Sequence, residues 1–313
     1  MPNAAAISGR TVIIHVLTVA LASVALCGAG AQDAPASPPL IGAEWVHVAV
    51  AGESWTTIGV REGITPAVLA TRNGRTLKSQ LRAGDIVVID NRHIVPDAVF
   101  ANDSNGTGLV VNIPQRLLFL FADGRFQARY PIAVGGHDWQ TPVGAFAIAL
   151  KEEDPTWDVP ASIQDEMRRA GKRVLTRVPP GPSNPLGKYW LGLSLDSVGI
   201  HGTNAPLSIY SFATHGCIRL ASDDIEALYA QVSEGDLGRI VYEPVLVAYD
   251  GTDVYLEVHP DPYRKVPDLL QRALELLDAA GLTERSDRTE VVEAVRRAEG
   301  IAVPVTDTGR ADR

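Results

Sequence analysis

The sequence predicts a mainly β protein: a curved or sandwich-like sheet, preceded by a small βααβ domain and followed by a hairpin plus helices. Three observations carry this. Apolar runs of strand length crowd into 109–113, 116–121 and 125–134, and Asp123-Gly124, a tight-hairpin dipeptide, stands between the last two. A second such signal, Asp250-Gly251, separates 245–249 from 254–258. Near the front, Val46, Val48 and Val50 alternate as a strand, 54–62 and 66–73 suit short helices, and Gly84-Asp85 leads into a strand over 86–89.

Taken in order, residues 1–31 read as a secretory signal. Arg10 closes a short positive region, 11–26 is almost wholly apolar, and Ala29-Gly30-Ala31 supplies a small-residue cleavage site. The run is short for a lasting membrane span, and Leu26 directly before Cys27 is a poor lipoprotein processing site. The expected mature protein begins at Gln32, resides in the periplasm or cell envelope of a Gram-negative-like cell, has no stable membrane span, and keeps Cys217 as its one cysteine. An unpaired thiol in an oxidising compartment is a candidate for reactivity.

Residues 32–44, with Pro35, Pro38 and Pro39, read as a linker; 45–95 as the βααβ domain; 96–107 as a second, polar linker; 108–243 as the catalytic sheet; 244–300 as a hairpin and helical subdomain; and 301–313 as a disordered tail. Inside the sheet region, 152–187 interrupts the strands with a helix expected over 162–170 and then Pro- and Gly-rich sequence. Connections this long are more often lids or walls than slack. A helix over 222–231, a strand over 238–243, a helix marked by Leu269, Ala273, Leu276 and Leu277, and another capped by Asp287 with Glu290 complete the order.

With 313 residues and 46% hydrophobic content the chain can fill more than one core, whereas a net charge of −9 without any basic run excludes a general nucleic-acid binder. His47, His93, His137 and His259 lack ligand spacing, so neither a metal nor a cofactor is expected.

The chemistry concentrates in HGTNAPLSIYSFATHGCIRL, residues 201–220, where His201 precedes Cys217 by sixteen positions. A thiol is mostly protonated at neutral pH, so a cysteine nucleophile needs a base, and an imidazole both takes the proton and returns it to a leaving amine. Gly216 lets a substrate approach the backbone, and its N–H is a candidate oxyanion donor. The bland alternative is that Cys217 is a small buried hydrophobe among polar loop histidines.

HGTN, SI and THGCIR in that order resemble the signature of the L,D-transpeptidase catalytic domain, the YkuD family. Thr214 stands where Ser is commoner, and Tyr210 where many members carry Gly. Thr141-Pro142-Val143-Gly144 is similar to the family's Thr-Pro-x-Gly turn. Pro155-Thr156-Trp157, 160–163, Pro180-Gly181-Pro182 and 184–187 resemble the ErfK/YbiS/YcfS/YnhG-like branch. The βααβ segment resembles a LysM module in Gly52-Glu53-Ser54, Ile58, Gly63-Ile64, Leu69, Asn73-Gly74 and 81–84.

The resemblance implies a peptidoglycan L,D-transpeptidase. Cys217 would attack the L-centre carbonyl of diaminopimelate in a tetrapeptide stem, His201 would exchange the proton, D-Ala would leave, and the thioester would pass to an acceptor. That acceptor is open among a second stem peptide (a 3-3 crosslink), a Braun-type lipoprotein, a free D-amino acid and water, the last making an L,D-carboxypeptidase or endopeptidase. A silent wall-binding LysM protein is the rival from another class. Gly202, Thr203, Thr214, His215, Arg219, Trp157 and Tyr210 are the expected substrate contacts. The glycan-binding module is expected to concentrate the enzyme on the wall without touching the chemistry.

Overall fold

The computed structural model describes residues 39–96 and 106–309. The expected signal segment and most of both expected linkers lie outside the described residues.

The N-terminal part begins earlier than expected, because Leu40–Ile41 (β1) pairs with His93–Ile94 (β4) and so ties the 32–44 segment down. Between them run Glu44–Val48 (β2), Trp55–Glu62 (α1), Pro66–Arg72 (α2) and Ile86–Asp90 (β3), with β2 antiparallel to β3. Ser54 and Thr57 close a capping box at the start of α1, satisfying two orphan backbone groups there. Trp55, Ile58, Leu69, Val87 and Ile89 fill the small core beneath the helices.

The barrel region contains Thr107–Asn112 (β5), Leu117–Ala122 (β6), Arg125–Gly135 (β7), Gly144–Glu153 (β8), Trp157–Asp158 (β9), Ala161–Arg169 (α3), Arg177–Val178 (β10), Tyr189–Leu193 (β11), Gly199–His201 (β12), Phe212–Thr214 (β13), Ile218–Leu220 (β14), Ser222–Gln231 (α4) and Leu237–Val241 (β15). The sheet order is β13-β7-β14-β12-β11-β8-β15-β5-β6, and β6 also pairs with β7, so the sheet closes on itself. Closure depends on two long strands that change partner midway. The first part of β7 pairs with β6 and its end with β14, while β8 passes from β15 to β11. The predicted curved sheet is thus a barrel-like ring.

The run LLFLF in β6 lacks alternation because both of its faces are covered. Leu118 and Leu120 point into the barrel core with Val111, Tyr130, Ile132, Leu191 and Ile200. Leu117, Phe119 and Phe121 face a second cluster that includes Val95, Ile209 and Tyr210, with Ile41 and Val60 packed against it. The βααβ domain therefore sits on the barrel's outer face and is not a bead on a string.

Between β8 and β11 the chain forms a cap. Strands β9 and β10 pair as its stem, and α3 lies at its tip with no buried residue.

The C-terminal part contains Val245–Tyr249 (β16), Val254–Val258 (β17), Leu269–Ala279 (α5), Arg288–Arg297 (α6) and Val303–Pro304 (β18). The expectation of a disordered tail over 301–313 is corrected for the described residues, which extend to 309. β18 pairs with β17, and Ile301, Ala302 and Val305 are buried, because their apolar side chains complete cores begun elsewhere. Ile301 packs into the small N-terminal core. His93 and Glu257, 164 positions apart in sequence, meet with both side chains fully buried. The Glu257 carboxylate accepts from His93 Nδ1 at 2.8 Å, His259 Nε2 at 2.7 Å, Gln115 Nε2 at 3.0 Å and the Ile94 N–H at 2.6 Å. Burial alone would raise this carboxyl. The His93 charge and the two histidine bonds hold it well below the usual carboxylate range instead. Two histidines read from sequence as scattered thus converge on one carboxylate.

Candidate active site

Strands β12 and β14 run parallel, with Ile200 beside Ile218 and His201 beside Arg219. Cys217 is the residue just before β14, so the ladder puts thiol and imidazole on adjoining strands, two positions out of register. The ring of His201 is 4% exposed. Its Nδ1 lies 2.7 Å from the Gly202 carbonyl, which selects the Nδ1–H tautomer and leaves Nε2 as an acceptor. Trp190, opposite His201 on β11, stacks on it at 5.9 Å with planes 25° apart. The indole also lies over Gly199, where a Cβ would come within 2.2 Å of it, so glycine is required there.

Burial pushes His201 down to about 4, and the Arg219 charge adds to that shift. Burial pushes the Cys217 thiol up, while the Gly199 backbone and Arg219 oppose it. The resting pair is therefore neutral thiol and neutral imidazole and not an ion pair. The thiol donates to the Ser197 carbonyl at 3.8 Å, and no hydrogen bond joins it to His201 among the described residues.

The turn before the thiol is held from inside. Gly216 has φ +105°, a region that favours glycine. Its N–H, expected to face an oxyanion, donates to Thr214 Oγ1 at 3.3 Å, because the Thr214 hydroxyl folds into the turn and itself donates to the Cys217 carbonyl at 2.6 Å. The Gly216 carbonyl accepts from Thr141 Oγ1 at 2.9 Å, and the same hydroxyl accepts from the Gly135 N–H at 2.8 Å. Tyr263 completes the clamp by donating to the Gly135 carbonyl at 2.6 Å and accepting from the Thr141 N–H at 3.2 Å.

Four expected substrate contacts are engaged within the protein. Tyr210 is 4% exposed in the core under the βααβ domain. Thr214 is engaged as described. Thr203 accepts from the Ala205 N–H through Oγ1 and from Ser222 Oγ through its carbonyl, and Gly202 lies against Ile225 and the Leu186 carbonyl. Trp157 lies in the cap stem, partly exposed. His215 is joined through Nε2 to Glu166 Oε1 of α3 at 2.9 Å, a bond that holds the Glu166 carboxyl below its usual range, and its ring tilts against Trp139. Arg219 Nη1 donates to Ser208 Oγ at 2.9 Å, its buried Nε has no partner, and no carboxylate among the described residues pairs with it. Sequence reasoning missed Trp190, Glu166 and Tyr263. Each acts from a distant element whose approach no local pattern announces.

A thiol and a neutral imidazole thus stand on neighbouring strands of a closed sheet, an arrangement able to serve cysteine acyl transfer. The YkuD family model, described as the L,D-transpeptidase catalytic domain, matches residues 106–247. The probable L,D-transpeptidase YcfS of Escherichia coli (strain K12) is 30% identical over 243 residues, covering 75% of this chain and 73% of that protein. The probable L,D-transpeptidase ErfK/SrfK of Salmonella typhimurium is 32% identical over 214 residues, 65% of this chain and 69% of that protein. The probable L,D-transpeptidase YbiS of Escherichia coli (strain K12) is 33% identical over 182 residues, 57% of each. The chain belongs to the L,D-transpeptidase family. No helix among the described residues is long and apolar enough to cross a membrane.

Proposed function

We propose that the protein performs acyl transfer on peptidoglycan stem peptides, with Cys217 as nucleophile and His201 as base and acid. The observation that carries the reading is the buried, neutral His201, whose Nδ1 is tied to Gly202 and whose Nε2 is left to take a proton. Cys217 Sγ attacks the L-centre carbonyl of diaminopimelate as its proton passes to His201. The tetrahedral oxyanion re-forms the carbonyl as a thioester, the C–N bond to D-Ala breaks, and His201 returns the proton to the departing amine. An acceptor amine then attacks the thioester carbonyl and regenerates the thiol. With the Gly216 N–H turned to Thr214, the Cys217 N–H serves as the oxyanion donor at that end of the site.

Arg219 receives a substrate carboxylate, supported by its unpartnered Nε and the lack of a carboxylate bonded to it among the described residues. Trp157 forms part of the cleft wall. The βααβ domain is a LysM-type glycan-binding module, and the enzyme works in the periplasm on the wall. An acceptor amine on a second stem peptide gives a 3-3 crosslink; a Braun-type lipoprotein lysine is the alternative amine, and water would give hydrolysis.

Mixing the mature protein with a disaccharide tetrapeptide and following products by mass spectrometry tests the reading. Loss of D-Ala with a crosslinked product is expected. Intact tetrapeptide after exhaustive incubation, with wild type and Cys217→Ser alike, would sink it.

A further inference from the structure

The loop from His201 to Cys217 is anchored at its middle by a residue outside the catalytic motif. Arg116 lies in the turn between β5 and β6, in the left-handed region with φ +55°, and its backbone is fixed by N–H bonds to the Asn112 and Ile113 carbonyls and by the Ile132 N–H. Its guanidinium does three things at once. Nη1 donates to the Tyr210 carbonyl at 3.1 Å, Nη2 donates to Thr65 Oγ1 at 3.2 Å, and the planar group covers the Tyr210 ring with Cζ 3.9 Å from the centroid. Phe212, which opens β13, lies 5.1 Å away on the same cation.

Tyr210 is the position where the family often carries glycine. It adopts φ +58°, a conformation glycine enters freely and a tyrosine enters only under strain. Strained residues persist where their surroundings over-determine them. Here the Arg116 fork, the Tyr210 N–H bond to the Ile132 carbonyl and the shared core with Val95 and Phe119 do so. The anchor lies two residues from Ser208, which holds Arg219, and four from Thr214, which holds the Cys217 turn. Thr65 belongs to the βααβ domain.

We propose that Arg116 is a positioning residue for the transfer reaction. It holds the His201–Cys217 loop in its reactive shape through Tyr210 and ties that shape to the seating of the βααβ domain through Thr65. On this reading the domain is a structural partner of the active site. The inference rests on the assignment of Cys217 and His201 as the reacting pair.

The test uses the full mature chain. Arg116→Met keeps the apolar stem and deletes the fork; Thr65→Val keeps shape and deletes one acceptor. For Arg116→Met, kcat on the soluble tetrapeptide should fall about tenfold with KM little changed, since small misplacement of reacting groups acts on kcat. Added methylguanidinium should restore part of the loss, which a merely structural defect would not allow. Thr65→Val should lose about threefold. Amide exchange over residues 208–214 should quicken in both variants. Unchanged kcat, a change in KM alone, or unchanged exchange would overturn the proposal. If Arg116→Met does not fold, Arg116→Lys is read by the same criteria, because an ammonium cannot bridge both oxygens in the same fork. Should wild type itself fail to turn over, the functional reading fails, and the exchange measurement still decides the bracing.

Discussion

At about pH 5.5, an imidazole of pKa about 4 is about 97% neutral, whereas one at the ordinary value of about 6.5 is only about 9% neutral. The buried His201 should therefore keep roughly tenfold more base-competent enzyme at that pH than an exposed histidine would. The acid limb of kcat/KM, which reports the free enzyme, is expected near pH 4. Trp190→Ala removes the indole stacked on His201 and lets water reach the ring, so the limb should move up toward 6.5. The assay is the rate of single acylation of Cys217, by intact mass, from about pH 4 to 8 in constant ionic strength. Stability gives a second readout. The folded state keeps the imidazole neutral while the unfolded chain binds a proton from 6.5 downward, so this group costs up to about 3 kcal/mol as pH falls from 6.5 to 4, and nothing further below. An acid limb between 6 and 7 in wild type, or the same limb in Trp190→Ala, would refute the account of a buried neutral base.

Other outcomes follow from the same geometry. His201→Ala should slow acylation by a carbapenem by roughly two to four orders of magnitude, Cys217→Ser should give no adduct, and His215→Ala should cost less and match Glu166→Gln, which breaks the same bond; equal rates for the two histidine variants by intact mass would contradict this. Thr141→Val leaves the Gly216 carbonyl and the Gly135 N–H without their buried partner, so urea unfolding should show a loss of about 3 kcal/mol, and Thr141→Ser should recover most of it. Truncation after Gly300 exposes the pockets of Ile301 and Val305 and should cost about 4 kcal/mol; an unchanged unfolding midpoint would show that the tail adds nothing.

Much of the barrel was legible because its strands announce themselves locally. Asp123-Gly124 set one hairpin, and the 3.6-residue spacing with Asp287 at the start of the last helix is matched by a carboxylate that accepts from the Thr289 and Glu290 N–H groups. His201 and Cys217 were legible as a pair of residue types, and the parallel register of β12 and β14 places them on adjoining strands two positions apart. Closure of the sheet was not legible, since it depends on β7 and β8 changing partners along their length. The burial of Tyr210 and the internal bonds of Thr203 were not legible for a related reason. A motif records which residues stand together along the chain, while burial and the fate of each hydroxyl are decided by elements arriving from elsewhere. The tail at 301–305 looked disordered because the core it completes lies some 240 positions upstream.

That last contact bears on the order in which the molecule can be made. Synthesis delivers Ala49, Trp55, Ile58 and Leu69 early, but Ile301, which shares their core, follows only some 240 residues after them. The same delay separates His93 from Glu257. The βααβ domain must therefore wait, with its apolar helix faces incompletely covered, until residue 301 has been released. Non-local closure of this kind slows folding and lengthens the exposure of sticky intermediates. A protein arranged in this way reaches its finished form as a whole, and its front domain cannot be expected to mature by itself when cut from the rest.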